Sequence, residues 1–267
     1  MFPLGLVMKG AALATGFSPV VGILICCIHF FFPGNPRLNL IPVLPSIKKL
    51  IYSCQVGVSA FVGEISSGVI TVTFNMIILN LAGNTGVAAY GVVANTSLVA
   101  VALFNGIAQG SQPLISRSYG RGEEQNVRSL LKMALTTALG LGVLLMIFIF
   151  FSAPAVTAVF NSEHDLQLAA YADSGLRLYF IGFLFAGINI VGTAALSAVE
   201  SVKYAFCASI SRGFVATIFF AFVLSACFKM TGIWLAFPAA EFATMFITLS
   251  GLLCFTKQKG GMYHAKD

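Results

Sequence analysis

An all-α polytopic membrane protein is the fold class this sequence predicts, and three observations predict it. Of its 267 residues, 58% are hydrophobic and only 9% are charged, with a mean hydropathy of +0.93. Soluble domains carry about a quarter charged residues, so this supply cannot cover a water-facing surface. The apolar residues gather into seven continuous runs, each close to the ~20 residues that a bilayer-spanning helix needs. The charges fall between these runs, and alternate loops receive most of the positive ones.

The seven spans are 10–32, 55–81, 87–112, 130–152, 174–198, 204–228 and 232–255. Runs this long and continuous exclude transmembrane strands, which alternate in hydrophobicity over about ten residues. One set of loops and ends holds Arg37, Lys48, Lys49, Arg117, Arg121, Arg128, Lys132, Lys203, Lys257, Lys259 and Lys266, and Arg212 lies two turns into the sixth span from that side. The other set holds Lys9, Arg177 and Lys229. Under the positive-inside rule, the N-terminus is expected outside and the C-terminus in the cytoplasm of a multi-pass plasma-membrane protein, the inner membrane in a bacterium.

The same distribution explains the net charge of +6 without nucleic acid, since no basic face carries stacking aromatics beside it. Membrane lipid is the surrounding partner. Cys26, Cys27, Cys54, Cys207, Cys227 and Cys254 lie in or beside apolar runs without CxxC or CxxH spacing and read as small apolar filler. No signal peptide is evident, because the first run is too long and lacks a cleavage site.

Taken in order, the spans differ in what they bury. The first contains Pro19. The second carries Gly57, Glu64, Gly68, Thr71 and Asn75 at 3–4 spacing on one face. The third carries Asn95, Asn105, Gln109 and Gln112, and it ends in Gln-Gly-Ser-Gln-Pro where its polar stripe meets the loop. That loop holds Arg117, Arg121 and Arg128 as anchors, Gly120 and Gly122 for the reversal, and Glu123 and Glu124 where a helix N-terminus favours carboxylates. The fourth span follows. The fifth has Asn189, Thr193 and Ser197, the sixth Arg212, and the seventh Pro238 one turn before Glu241.

Intramembrane ionisable groups cost about 2.5–3.5 kcal/mol each at mid-depth and seldom face lipid. Glu64 and Glu241 each lie nine residues into their spans, roughly 14 Å at 1.5 Å per residue. Three polar stripes on neighbouring helices imply a water-accessible interior, with Thr71, Asn75, Asn95, Asn105, Gln109, Asn189 and Glu241 as candidate lining. For Glu241 a structural pairing with Arg212 is an equal reading. Pro238 either frees a carbonyl for a cation or water or makes a packing kink.

Gly-x-x-Leu-Ala recurs 222 residues apart, in GAALATGFSP (Gly10–Pro19) and GIWLAFPAAE (Gly232–Glu241). A six-helix repeat follows, with both copies in one orientation. The second to seventh spans then form one complete unit, and the first is the last helix of a preceding unit. Five more helices are expected ahead of Met1, so the chain reads as a fragment. The expected organisation is 1–32 as the last helix of the preceding lobe, 33–54 as a cytoplasmic inter-lobe linker, 55–255 as a six-helix lobe and 256–267 as a cytoplasmic tail.

Enzyme chemistry is not expected. His29, His164 and His264 are scattered, and the sequence has no HExxH, no GxxxxGK[ST] loop and no GxSxG elbow. Transport would therefore draw on an ion gradient or another subunit.

The stretches GVSAFVGEISSGVITVTFN (Gly57–Asn75), GVAAYGVVANTSLV (Gly86–Val99), GIAQGSQPLISRSYGRG (Gly106–Gly122) and GLRLYFIGFLFAGINIV (Gly175–Val191), together with GIWLAFPAAE, occur in order along the chain. They resemble the multidrug and toxic compound extrusion (MATE) family, most of all its MepA-type branch. The resemblance implies helices six to twelve of twelve: one six-helix MATE lobe and the last helix of the lobe before it. It implies two lobes that alternate between outward- and inward-facing states and export small cationic or amphipathic drugs in exchange for H+ or Na+, with no other cofactor. The family's acid in its seventh helix falls on Glu64, which becomes the expected coupling residue and Na+ ligand. An acid that some members use in helix ten has its only counterpart in Asp173, to which no role is carried over. The first lobe, with its own coupling acid in part of the family, is the missing partner. Two alternatives stand beside this reading: a flippase for lipid-linked sugars, and a non-transporting membrane module that binds a partner.

Overall fold

The computed structural model describes residues 7–28, 46–161 and 164–263, and among them every regular element is helical. The chain divides into two units, Met1–Ile47 and Lys48–Asp267. In the first lies α1 (Val7–Ile28), with Pro19 inside it and Phe17, Ile23, Leu24 and Ile25 exposed. It corresponds to the span expected at 10–32.

The second unit holds the other six spans. Those expected at 55–81 and 87–112 form one helical track, α2 (Ile47–Gly120), which folds back at Gly83. The reversal follows from distances. Phe74 and Tyr90 lie sixteen residues apart, about 24 Å along a straight helix, yet their ring centroids are 5.5 Å apart. Gly83 sits at φ 63°, ψ −157°, a region essentially closed to side chains. Gly83→Ala should cost about 1–3 kcal/mol, read as a lower melting temperature of the purified protein.

Beyond Gly122, which turns the chain at φ 74°, α3 (Glu124–Phe160) opens with Glu124 in its first turn and Asn126 bonded to the Glu123 carboxylate at 2.9 Å. It starts before and ends after the span expected at 130–152. Hydropathy marks the apolar thickness of a bilayer, whereas backbone hydrogen bonding continues past it.

The fifth span is built from α4 (Leu166–Tyr179), one 3-10 turn (Phe180–Gly182) and α5 (Phe183–Ala198). Asp165 caps α4 through the backbone N–H groups of Gln167 and Leu168, at 2.8 and 3.3 Å. Asp173 accepts from the Thr157 hydroxyl at 2.9 Å and so ties α4 to α3.

The sixth and seventh spans run through α6 (Val202–Ile210), a π turn (Ser211–Val215) and α7 (Ala216–Tyr263), with a reversal at Lys229 (φ 51°, ψ −128°). Runs 65–120, 124–160, 166–198 and 202–255 are each long and apolar enough to cross a membrane. The first would be about 84 Å if straight, nearly three times a hydrocarbon core of about 30 Å, so the hairpin makes it two spans.

An aromatic column forms the core: Tyr90 stacks on Phe74 and Trp234, and Tyr179 on Phe237 at 4.2 Å. A second cluster, with Ile115, Val127, Leu196, Val199 and Leu252, packs where the turns at 121–123 and 199–201 meet. At that end the Tyr52 hydroxyl hydrogen-bonds the Glu200 carboxylate, which raises the phenol above its ordinary 10. Outward-facing side chains are large and apolar, Phe148, Phe150 and Phe151 on α3 and Phe219 and Phe222 on α7 among them. Water would penalise such a surface, but lipid tails are as apolar as these side chains.

Candidate functional site

Past Lys229, α7 places Pro238, Glu241, Thr244 and Thr248 in sequence. Pro238 has no N–H to give the Trp234 carbonyl, so that carbonyl lacks its ordinary helical donor. Glu241, Thr244 and Thr248 follow i, i+3, i+7 spacing and share one face, and all three are buried.

Glu241 is 1% exposed. Its carboxylate is held from two sides. Arg212 Nε donates to Oε1 at 2.5 Å, and Asn189 Nδ2 donates to Oε2 at 2.7 Å and to the Glu241 carbonyl at 2.8 Å. The Thr248 hydroxyl donates to Asn189 Oδ1 at 2.9 Å, which directs the amide's N–H groups at the acid. The Ser211 and Thr244 hydroxyls meet at 3.2 Å. Three helical segments therefore converge on one carboxylate: α5, the π turn and the second limb of α7. A charge buried alone in a membrane interior is costly; here a guanidinium and an amide supply the compensation.

The π turn sets the position of Arg212. Its wider winding leaves the Arg212 carbonyl to accept from the Thr217 hydroxyl. Gly213 faces Ser66 of α2 so closely that a Cβ there would stand 1.9 Å from Ser66 Oγ. The network is thus packed directly against the α2 turn that contains Glu64. Glu64 lies within α2, and its side chain falls outside the described residues.

Of the other candidates, Asn189 and Glu241 come together, while those on α2 form an outer face. Thr71, Asn95, Asn105 and Gln109 are exposed and Asn75 half-buried. The Thr71 hydroxyl bonds back to the Ser67 carbonyl at 2.9 Å, and Asn95 Nδ2 to the Gly91 carbonyl at 2.8 Å. Asn75, Asn105 and Gln109 have no side-chain hydrogen bond among the described residues. Ser197 bonds the Thr193 carbonyl at 3.0 Å within its own helix. Sequence reasoning missed Ser211, Thr244 and Thr248. The i, i+3, i+7 series starting at Glu241 was the available signal. No cluster of three His, Cys, Asp or Glu that could hold a metal occurs among the described residues.

Comparison with known proteins gives a consistent result. The sequence model of the MatE family matches residues 60–223. Among solved structures, an outward-facing multidrug resistance MATE family transporter of the MOP superfamily is similar at TM-score 0.87 and 19% identity, over 97% of this chain and 58% of that one. An inward-facing structure of such a transporter is similar at TM-score 0.76 and 19% identity, over 97% and 60%. A MOP superfamily transporter from Pyrococcus furiosus, described as having a binding pocket of reverse polarity, is similar at TM-score 0.82 and 19% identity, over 96% and 57%. The chain spans about three fifths of the length of these structures. No curated protein matches the sequence.

Proposed function

The chain belongs to the MatE family, and on that premise we propose that it supplies the C-terminal lobe of a cation-coupled antiporter exporting small cationic or amphipathic drugs. Glu64, ionised, takes the coupling Na+ or proton, and Asn75, about three turns (roughly 16 Å) further along α2, lines the same cleft. The drug's positive charge competes for the same field within the cleft, so export and ion entry alternate. An oxygen site suits either hard cation.

The outer face of α2 carries this reading. Asn75, Asn105 and Gln109 stand exposed or half-buried on a hairpin whose other exposed residues are mostly apolar, such as Val72, Met76, Leu98 and Leu103. Unpaired amides at membrane depth are costly against lipid and inexpensive against water. They mark one wall of a solvated cleft, and a preceding lobe would form the other.

The test is Glu64→Gln in the full-length protein. Coupled efflux of a fluorescent cationic dye is expected to be abolished while membrane expression is unchanged; undiminished efflux would overturn the assignment.

A further inference from the structure

We propose that Glu241 and the oxygens around it form a second site for a small monovalent cation, in which Arg212 is a tethered and displaceable occupant. The antiport reading above enters only as the reason why a mobile cation would be present. Four features of the site lead here.

First, the acid is positioned without the arginine. Asn189 holds both the Glu241 carboxylate and its carbonyl, and Thr248 holds Asn189. Removing the guanidinium leaves these bonds in place, so the carboxylate remains preorganised for another cation.

Second, the arginine is weakly committed. It bonds through Nε rather than through the paired terminal nitrogens that make a strong carboxylate fork. Its side chain is 30% exposed against 2% for that of Glu241. The arginine side chain therefore reaches the bundle surface in part, while the carboxylate is enclosed within it.

Third, the donor set fits a hard ion. On the segments around the carboxylate, the Ser211 and Thr244 hydroxyls meet each other and the Thr248 hydroxyl meets Asn189. Pro238 leaves the Trp234 carbonyl, two turns before Glu241, without a helical donor. One carboxylate balances one positive charge, so a monovalent ion replaces the guanidinium without changing the charge of the buried site, whereas a divalent ion would leave an excess.

Fourth, the backbone that carries Arg212 is a π turn, a form concentrated at functional positions in helices. Migration of this wide turn along the helix would rotate the residues it passes, Arg212 among them, while the helix beyond the shifted segment keeps its register.

Trp234, the single tryptophan, lies seven residues before Glu241 on the same limb and supplies the readout. Its fluorescence would be followed in purified full-length protein, with any tryptophan outside this chain replaced by Phe, titrated with NaCl while choline chloride holds ionic strength constant. Arg212→Gln is expected to tighten Na+ binding about tenfold or more, because a tethered competitor has been removed. Arg212→Gln/Glu241→Gln is expected to lose that response. A folded Arg212→Gln protein insensitive to Na+, or a response that survives in the double variant, would overturn the proposal.

The wild-type protein provides a test that does not depend on how the variants fold. Phenylglyoxal modification of Arg212, quantified by peptide mass spectrometry, is expected to accelerate in NaCl relative to choline chloride. An unchanged rate would overturn the proposal. Neither measurement involves flux, so their failure leaves the Glu64→Gln efflux test intact, and the reverse also holds.

Discussion

Arg212→Met will destabilise the bundle by about 3–5 kcal/mol, and adding Glu241→Met will recover most of the loss. The single change leaves a carboxylate that is 1% exposed, with Asn189 as the remaining side-chain donor among the described residues. An uncompensated buried charge costs far more than the pair itself contributes, because the desolvation already incurred is no longer offset. The double change removes both charges and fills the space with apolar atoms of similar length, which is close to neutral or stabilising in other buried pairs. Thermal melting followed by Trp234 fluorescence reads the difference. At about 2–4 °C per kcal/mol for a chain of this size, the single variant should melt roughly 10 °C lower and the double variant near wild type. If the two variants are equally destabilised, the pair is not what holds this region together. Sodium should return part of the loss in the single variant and none in the double, which separates a cation site from a purely structural ion pair.

Much of this fold was legible because membrane spans announce themselves through length and apolarity. The apolar helices of the second unit appear where continuous apolar runs occur, and the contact between Arg212 and Glu241 that the sequence suggested is present. The connections were less legible. Gly83 and Lys229 each reverse the chain at a single residue of positive φ, and hydropathy does not report φ. The break at Phe180–Gly182 and the π turn at Ser211–Val215 also left no apolar signature, since both occur inside runs that are hydrophobic throughout. The site divided in the same way. Periodicity found the stripe on α2 because polar residues there are sparse and outward-facing. It did not find Ser211, Thr244 and Thr248, whose hydroxyls are small and buried and reach one another only through packing between helices. Asn189 was seen as part of a stripe on its own helix, but its partner lies 52 residues away, a distance that one sequence does not connect.

Gly232→Ala will disrupt the hairpin at Lys229 and cost at least about 3 kcal/mol. Eight residues separate Gly232 from Leu224, about 12 Å along a straight helix, yet a Cβ on Gly232 would lie 1.8 Å from the Leu224 carbonyl oxygen and 2.9 Å from the Ser225 nitrogen. Those atoms are main chain, so no rotamer change can relieve the overlap, and the two limbs of α7 would have to separate. Separation would carry Trp234 off Tyr90 and shift Glu241, which lies two and a half turns further along the same limb. The expected result is therefore a lower melting temperature together with a changed Trp234 emission. Gly140→Ala on α3 is the control. It makes the same substitution inside a helix with nothing within 4 Å of the added carbon, and it should be neutral or stabilise by up to about 1 kcal/mol through helix propensity. Truncating the side chains of Leu224 and Ser225 should not rescue Gly232→Ala, because the obstruction is their backbone. Rescue by either truncation would show that the hairpin is looser than its main-chain contact requires, and that the position of Glu241 does not depend on it.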